Sequence, residues 1–495
     1  MKTNKVLFTF IFSFVSILSL QAQTAYEAIR YAQNTIGGTA RSMGAGGAFG
    51  AVGADFGGIS INPAGLGLYR RSEITVSPVL NTVTNEATYY GTKSSESNYN
   101  FAMSNFGLVI NNNRPPREKP TGIVTSSIVL GVNRLNSYFD DRYISGFNTD
   151  NSLVDRYTQN AQGTAPELLS DFGYDLYQAG FLNAYDDNGE YFYDNPLLGN
   201  VQQREANTVT GGMNEFVMGF GANYEDRLYF GATLGIPYFA YDSVSEYQEE
   251  DSENNYTDSF QSLSTNESLN VNGYGFNGKF GVIFRISNAF RLGGALHTAN
   301  YLRLNEEFRE NQEAVIVNTN VLETIYSPTY QNYFNYRLRT PGKAVLSATY
   351  FYKKLGLLSV DYEYVNYSKA RFESALDGAL ADKDFFAGLN QEIDNSFKGA
   401  SNLRIGVEVA PKIFRVRAGY AFDGNPQENS ALQTGRHTFT AGAGVRGKKV
   451  SLDIAYNTSR ESYTQSLYGL ASGSSAATVK NQRNNLVATF ALRLR

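Results

Sequence analysis

The stretch YGFNGKFGVIFRI, residues 274–286, has two unlike faces. Tyr274, Phe276, Phe280, Val282, Phe284 and Ile286 share one parity, and Gly275, Asn277, Lys279 and Arg285 share the other, with Ile283 as a lapse. A period of two is the signature of a β-strand with different surroundings on its two sides. The same pattern returns at 403–409, where Leu403, Ile405, Val407 and Val409 oppose Arg404, Gly406 and Glu408. It returns at 414–423, with Arg415 and Arg417 on the polar side, and again at 450–457.

A half-buried sheet in a soluble sandwich alternates in this way. So does a membrane barrel, whose outer face meets lipid and whose inner face lines a polar lumen. Three features favour the barrel. Full charges sit opposite long apolar rows, and many segments exceed the five or six residues usual in soluble strands. The N-terminus also reads as an export signal: Lys2 and Lys5, then the uncharged run Val6–Leu20, then Ala22 as the cleavage point. Residues 1–22 are therefore read as a signal peptide, on a chain bound for a Gram-negative outer membrane.

Fourteen alternating segments follow, from 73–90 to 480–495, an even count as a single-chain bacterial barrel requires. Tight turns are expected at 224–227, 287–289, 353–355, 411–412 and 447–449. Long polar connections are expected near 249–264, 309–332, 372–398, 425–432 and 462–479, with the largest excursion at 138–211. Short periplasmic turns alternating with long outer loops are the habit of such barrels. The fold class is thus all-β: a fourteen-stranded antiparallel transmembrane barrel over 72–495.

Composition excludes much else. The 495 residues include 47 Gly, 35 Tyr and 33 Phe but no Trp, no Cys and only 2 His. A disulfide scaffold, a cysteine nucleophile and a histidine-rich metal centre are ruled out or disfavoured. A formal charge of -5 argues against nucleic acid as a partner. No cofactor, metal ligand or catalytic residue is expected: a Ser/His/acid set would have to use His297, the one histidine of inward parity, and nothing in the sequence places a serine beside it.

Residues 23–71 do not alternate. They are glycine-rich yet carry Met43, Phe49, Val52, Phe56, Ile59, Ile61 and Leu66, too apolar for a disordered tail. They are read as a hatch inside the lumen. TARSMGAGGAFGAVGADFGGISINPAGLG (39–67) resembles the N-terminal hatch of the FadL family of outer-membrane transporters for hydrophobic compounds, whose Asn-Pro-Ala falls here on Asn62, Pro63 and Ala64. Segments 339–350, 357–372, 403–426 and 436–457 look like that family's second half.

The resemblance implies a passive transporter that takes up long-chain fatty acids or aromatic compounds. The ligand would land on an apolar outer groove, pass to a pocket in the barrel and leave sideways into the bilayer at a kinked early strand. Asn62, Pro63, Ala64 and Gly65 are the candidate hatch or gating residues, the alternative being an ordinary Asx-type turn. Leu169, Phe172, Leu176 and Phe181, in a stretch with helical spacing over 165–185, are candidates for the landing groove; the alternative is a helix that caps the barrel. Arg404 and Arg417 could meet a ligand carboxylate, or could pair with acids across strands. The expected partners are a hydrophobic small molecule and outer-membrane lipid, and the expected state is a monomer. Two other functions stand beside this one: a secretion-associated interaction barrel resembling PorV, and a haem-uptake protein.

Overall fold

The computed structural model describes residues 24–494 except 36, 114–120, 257–259, 319–320, 376–379, 430, 432, 471–472 and 474; the signal-peptide reading lies outside the described residues. Fourteen staves close into one antiparallel barrel. They are β1 (Glu73–Tyr89), β2 (Thr92–Asn113), β3 (Ile123–Ser137, resuming as Asp140–Asn148), β4 (Val201–Tyr224), β5 (Leu228–Glu250), β6 (Phe260–Arg285) and β7 (Phe290–His297, resuming as Tyr301–Asn318). Then come β8 (Tyr330–Arg339 and Lys343–Tyr352), β9 (Gly356–Asn366 and Arg371–Ser374), β10 (Gly399–Val409), β11 (Phe414–Asp423), β12 (Arg436–Arg446), β13 (Val450–Ser466) and β14 (Ala476–Arg493). Each pairs with its sequence neighbour, and β14 returns to β1 from Glu73↔Arg493 to Thr88↔Thr478. Apart from the upper half of β2, closure leaves no unpaired edge in lipid, where a free N–H or C=O would cost several kcal/mol.

The alternation in β6 is the alternation of its surroundings. Its six apolar side chains of one parity, Tyr274 to Ile286, are 50% to 58% exposed, while Asn277 and Lys279 are buried in the lumen. Ile283 faces inward as well, buried against Ala64 and Tyr229, so the lapse in the pattern marks a place where the hatch supplies an apolar neighbour. Tyr238, Tyr274, Tyr301 and Tyr362 stand at the upper end of the outward-facing rows, and Tyr224, Phe284, Tyr352 and Phe414 at the lower end. Such aromatic girdles mark the two membrane interfaces.

The tight turns fall where expected. Glu225 and Asp226 both have positive φ, as do Lys353 and Lys412 in their turns. The long connections differ in kind. β6 alone has 26 residues, against the ~10 that a tilted strand needs to cross lipid. The hairpins therefore continue as sheet above the bilayer, and much of 249–264 and 309–332 is strand rather than irregular loop. The first outer connection is tight, with Tyr90 and Gly91 at positive φ between β1 and β2.

Within 138–211 the expected helix over 165–185 is shorter. Pro166–Leu168 forms a 3-10 turn, and α5 (Asp171–Gln178) follows α4 (Val154–Ala161). Gly180 at φ 79° ends α5, with Phe181 N–H donating to Leu176 C=O at 2.9 Å, a C-terminal cap that only a left-handed residue permits. A hairpin, Asn183–Asp187 with Glu190–Asp194, completes the segment.

The hatch fills the lumen. α1 (Ala25–Ala32), α2 (Ala40–Gly44), α3 (Phe56–Ile59) and a 3-10 turn at Pro63–Leu68 are joined by glycine-rich bends. The hatch backbone lies directly on the wall backbone. A Cβ at Gly46 would meet Ile405 C=O at 2.9 Å and Tyr420 N at 3.0 Å, and a Cβ at Gly231 would overlap Pro63 C=O. Hydrogen bonds complete the seat: Ala40 N–H to Thr489 Oγ1 at 2.7 Å, Gly46 N–H to Thr440 Oγ1 at 3.0 Å and Gly50 N–H to Asp361 Oδ2 at 2.8 Å.

Candidate functional site: the plugged lumen and a break in its wall

Asn62 and Pro63 open the 3-10 turn as N-cap and first helical residue, positions that suit an Asn acceptor and a residue without N–H. Asn62 Oδ1 accepts from Ala64 N–H at 3.0 Å. Its Nδ2 donates to Gly50 C=O at 2.8 Å within the hatch and to Val282 C=O of β6 at 3.2 Å. Ala64 and Gly65 are buried behind it. The turn is thus both a local cap and a clasp between hatch and wall. Beside it, His297 is buried and its Nε2 donates to Ile61 C=O at 2.9 Å, so this ring also holds the hatch; His437 faces outward between Tyr420 and Phe422. Among the described residues no cluster of His, Cys, Asp and Glu could hold a metal ion.

Arg404 and Arg417 face inward and are engaged by acids. Arg417 reaches Glu408 at 2.6 Å and Asp453 at 2.7 Å; Arg404 lies 3.6 Å from Glu363 and 3.7 Å from Asp423. Removing a guanidinium from water is costly unless its donors are met, and these partners meet them. Three small cavities of about 50 to 70 Å³ lie in this charged middle of the lumen, two lined by Thr35 and Gly37 and the third by Gln33 and Asn34.

Leu169, Phe172, Leu176 and Phe181 pack with Leu153, Leu197, Phe260 and Ile316 into the interior of the outer cap. Phe172, Leu176 and Phe181 are 3%, 1% and 2% exposed, so they close a lid rather than line an open groove. The apolar chamber lies beneath. Tyr138, Phe239, Tyr241, Leu302, Tyr336 and Phe372 wall it, and Phe386, Leu389 and Ile393 of α6 (Leu380–Ser396) roof it. Phe239, Tyr241, Leu302 and Tyr336 fall in segments that read as strands, and Phe386 and Leu389 in a stretch, 373–389, that is a weaker helix candidate; parity gives the direction of each side chain but not which inward residues gather. Helix α1 occupies the chamber: Tyr31 sits 4.9 Å from the Phe239 ring and 6.0 Å from Tyr138. Its Glu27 is buried too, and that burial, reinforced by Glu306, raises the carboxyl to about 8 against the pull of Arg30.

The wall is broken at one place. β2 pairs with β3 only from Asn105↔Asn133 to Asn113↔Thr125. Above that, β3 bends at a register shift between Arg134 and Asn136, and its second half pairs with β4 alone. Gly211 of β4, at φ 104°, supports the bend, its C=O accepting from Tyr138 N–H at 3.3 Å. The upper half of β3 crosses the inner faces of β1 and β14, with Ile144 against Ala87, Tyr89 and Val479. The upper half of β2 is left with a partner on one side only, and Tyr99 and Phe101 stand 75% and 72% exposed. Phe101 is in register with Leu80, and Leu80 with the lipid-facing Leu486 of β14. The gap therefore opens at bilayer level, not above it.

Hatch residues Gln33, Thr35 and Gly38 close this gap from inside. Thr35 N–H donates to Leu135 C=O at 3.0 Å and Asn136 Nδ2 to Gln33 C=O at 3.1 Å, on the β3 edge. Ser104 Oγ of β2 donates to Gly38 C=O at 2.7 Å, on the other edge.

No family model matches the sequence, and no curated protein matches it. Solved structures do. A Pseudomonas aeruginosa FadL homologue superposes with a TM-score of 0.53 at 12% identity, covering 93% of this chain and 99% of that one. The Pseudomonas putida toluene transporter TodX gives 0.51 at 12% identity over the same shares. At such identity the likeness is one of architecture, and it agrees with the closed wall, the lipid-facing girdles and the seated hatch: the chain has the fold of a FadL-type outer-membrane β-barrel.

Proposed function

We propose that the protein is a passive, non-enzymatic and monomeric transporter that carries hydrophobic small molecules, long-chain fatty acids or aromatic compounds, across the outer membrane and releases them sideways into the bilayer. The observation that carries this reading is the break between β2 and β3 at bilayer level, sealed by the same hatch whose helix α1 fills the apolar chamber. A poorly soluble ligand gains by moving from an apolar chamber to lipid without entering water, at roughly 25 cal/mol per Å² of apolar surface kept dry. The charged middle of the lumen disfavours a straight path to the periplasm for such a ligand, and TodX, with the same fold, is described as a toluene transporter.

In this reading α1 yields the chamber to the ligand, Gln33, Thr35 and Gly38 shift from the gap, and the Asn62–Gly65 clasp keeps the rest of the hatch in place. Arg404 and Arg417 hold the inner wall together, and the cap around Phe172 and Leu176 shields the chamber from outside water.

The test is uptake by cells of labelled oleate and of toluene. Deleting residues 138–139, so that β3 runs straight and pairs with β2, is expected to cut uptake to about a tenth or less while the barrel still folds. Tyr138→Ala, which alters the chamber but keeps the bend, separates loss of the gap from loss of the chamber. Unchanged uptake in the straightened variant would overturn lateral release.

A further inference from the structure

The periplasmic mouth of the barrel holds another cavity, of about 540 Å³, on the far side of the hatch from the apolar chamber. Its floor is Val52, Leu68 and Tyr69 of the hatch with Phe351 of β8, and its rim is cationic. Three of the cations lining it are neutralised. Arg493 meets Glu73 at 3.2 Å, Arg41 lies 3.5 Å from Glu408, and Arg70 meets Asp226 at 2.6 Å. Four are not. Arg71, Arg291, Arg446 and Lys448 have no acid within ion-pair distance among the described residues. Arg71 donates only to Lys448 C=O at 3.3 Å. Arg291 donates to Val52 C=O at 2.8 Å and stacks on the Phe351 ring at 4.4 Å, so its position is fixed but its charge is not matched. Arg446 makes no side-chain hydrogen bond among the described residues, and its electrostatic neighbours are the cations Arg41 and Arg493 as well as the acids Glu408 and Glu73, each already paired with another arginine.

A second observation is independent of charge. Tyr69 lines the same cavity, is 3% exposed, and its hydroxyl has no hydrogen-bond partner among the described residues. An orphaned buried donor beside unmatched guanidinium groups lacks one thing, an acceptor oxygen with negative charge. Arginines that converge with a hydroxyl donor suit a multivalent oxyanion, and phosphate offers several acceptor oxygens in the geometry the guanidinium fork matches.

We propose that this basin binds a phosphate group presented from the periplasmic side, either the head group of an anionic lipid of the inner leaflet or a free phosphate ester. The site is independent of the transport reading: it lies beneath the hatch, outside the path from chamber to gap.

The test uses the full-length protein in a neutral detergent and in nanodiscs. Titration calorimetry with inorganic phosphate is expected to show saturable binding that the double variant Arg71→Gln/Arg446→Gln weakens about tenfold or more, the scale of losing charge-assisted hydrogen bonds. Tyr69→Phe is expected to weaken it less, and Lys412→Gln, in a periplasmic turn outside the basin, not at all. Heat-shifted gel mobility checks that each variant is folded. In nanodiscs, retention of phosphatidylglycerol over phosphatidylcholine by the wild type, lost in the double variant, identifies the lipid source; phosphate binding without that preference identifies a soluble ester. Phosphate that binds no better than chloride, or binds the double variant as well as the wild type, overturns the proposal.

Discussion

Asn62 ties two backbones together with one amide, Gly50 in the hatch and Val282 in the wall. Replacing it by Ala removes buried hydrogen bonds and takes this partner from Gly50 C=O and Ala64 N–H, a cost of about 1–3 kcal/mol. Asn62→Ala is expected to lower the melting temperature and to quicken proteolysis of the hatch before the barrel itself unfolds. Arg417 is a harsher case. It lies opposite Gly442 of β12, while Asp453 of β13 lies opposite Gly444, so the guanidinium crosses a strand that has no side chain in the way. Arg417→Gln leaves buried Asp453 without its ion-pair partner and Glu408 with only the longer contacts to Arg41 and Arg415, a loss of about 3–5 kcal/mol; urea unfolding in detergent measures it. How much of this can be read from the chain depends on range. Asn62 followed by Pro63 is a local capping signal, visible in three residues. The inward direction of Arg417 follows from parity, but its partners follow from the register of β11, β12 and β13, which no single segment carries.

Among the elements, helix α1 has a built-in pH response. Its Glu27 carboxyl is raised by burial to about 8, so between the ordinary carboxylate value and that point the docked helix holds a proton that the undocked one gives up. Docking is therefore strongest at low pH and weakens as pH rises toward 8. Limited proteolysis of the N-terminal segment is expected to speed up from pH 5 to pH 8, and Glu27→Gln to flatten that dependence; a wild type equally protected across the range would refute it. The staves were plain in the sequence because lipid outside and charge inside impose strict parity. The extensions above the bilayer were not, since both faces there meet water or the cap and the alternation fades. The helix expected over 165–185 is shorter for a local reason: Leu169 keeps the spacing but precedes α5, whose N-cap is Ser170, and packs as part of a loop. The bend in β3 depends on Gly211 in a strand far along the chain, so it left no mark in the segment that bends.

For the whole molecule, closure of β14 on β1 gives a wall whose unfolding must be cooperative. The purified protein is expected to need detergent and to migrate faster unboiled than boiled on a denaturing gel; a single unshifted band, or solubility without detergent, would contradict a closed lipid-facing barrel. The glycine content of the chain also finds its reason at this scale. The hatch and the wall meet as bare peptide planes, at Gly46 against Ile405 and Tyr420 and at Gly231 against Pro63 and Ala64. A door hung on side chains can open by rotating them. One whose frame and panel are both main chain has no such small move available: the panel must shift as a unit or stay shut. The resting barrel should then be electrically silent, passing no ions in a planar bilayer between rare, all-or-none openings.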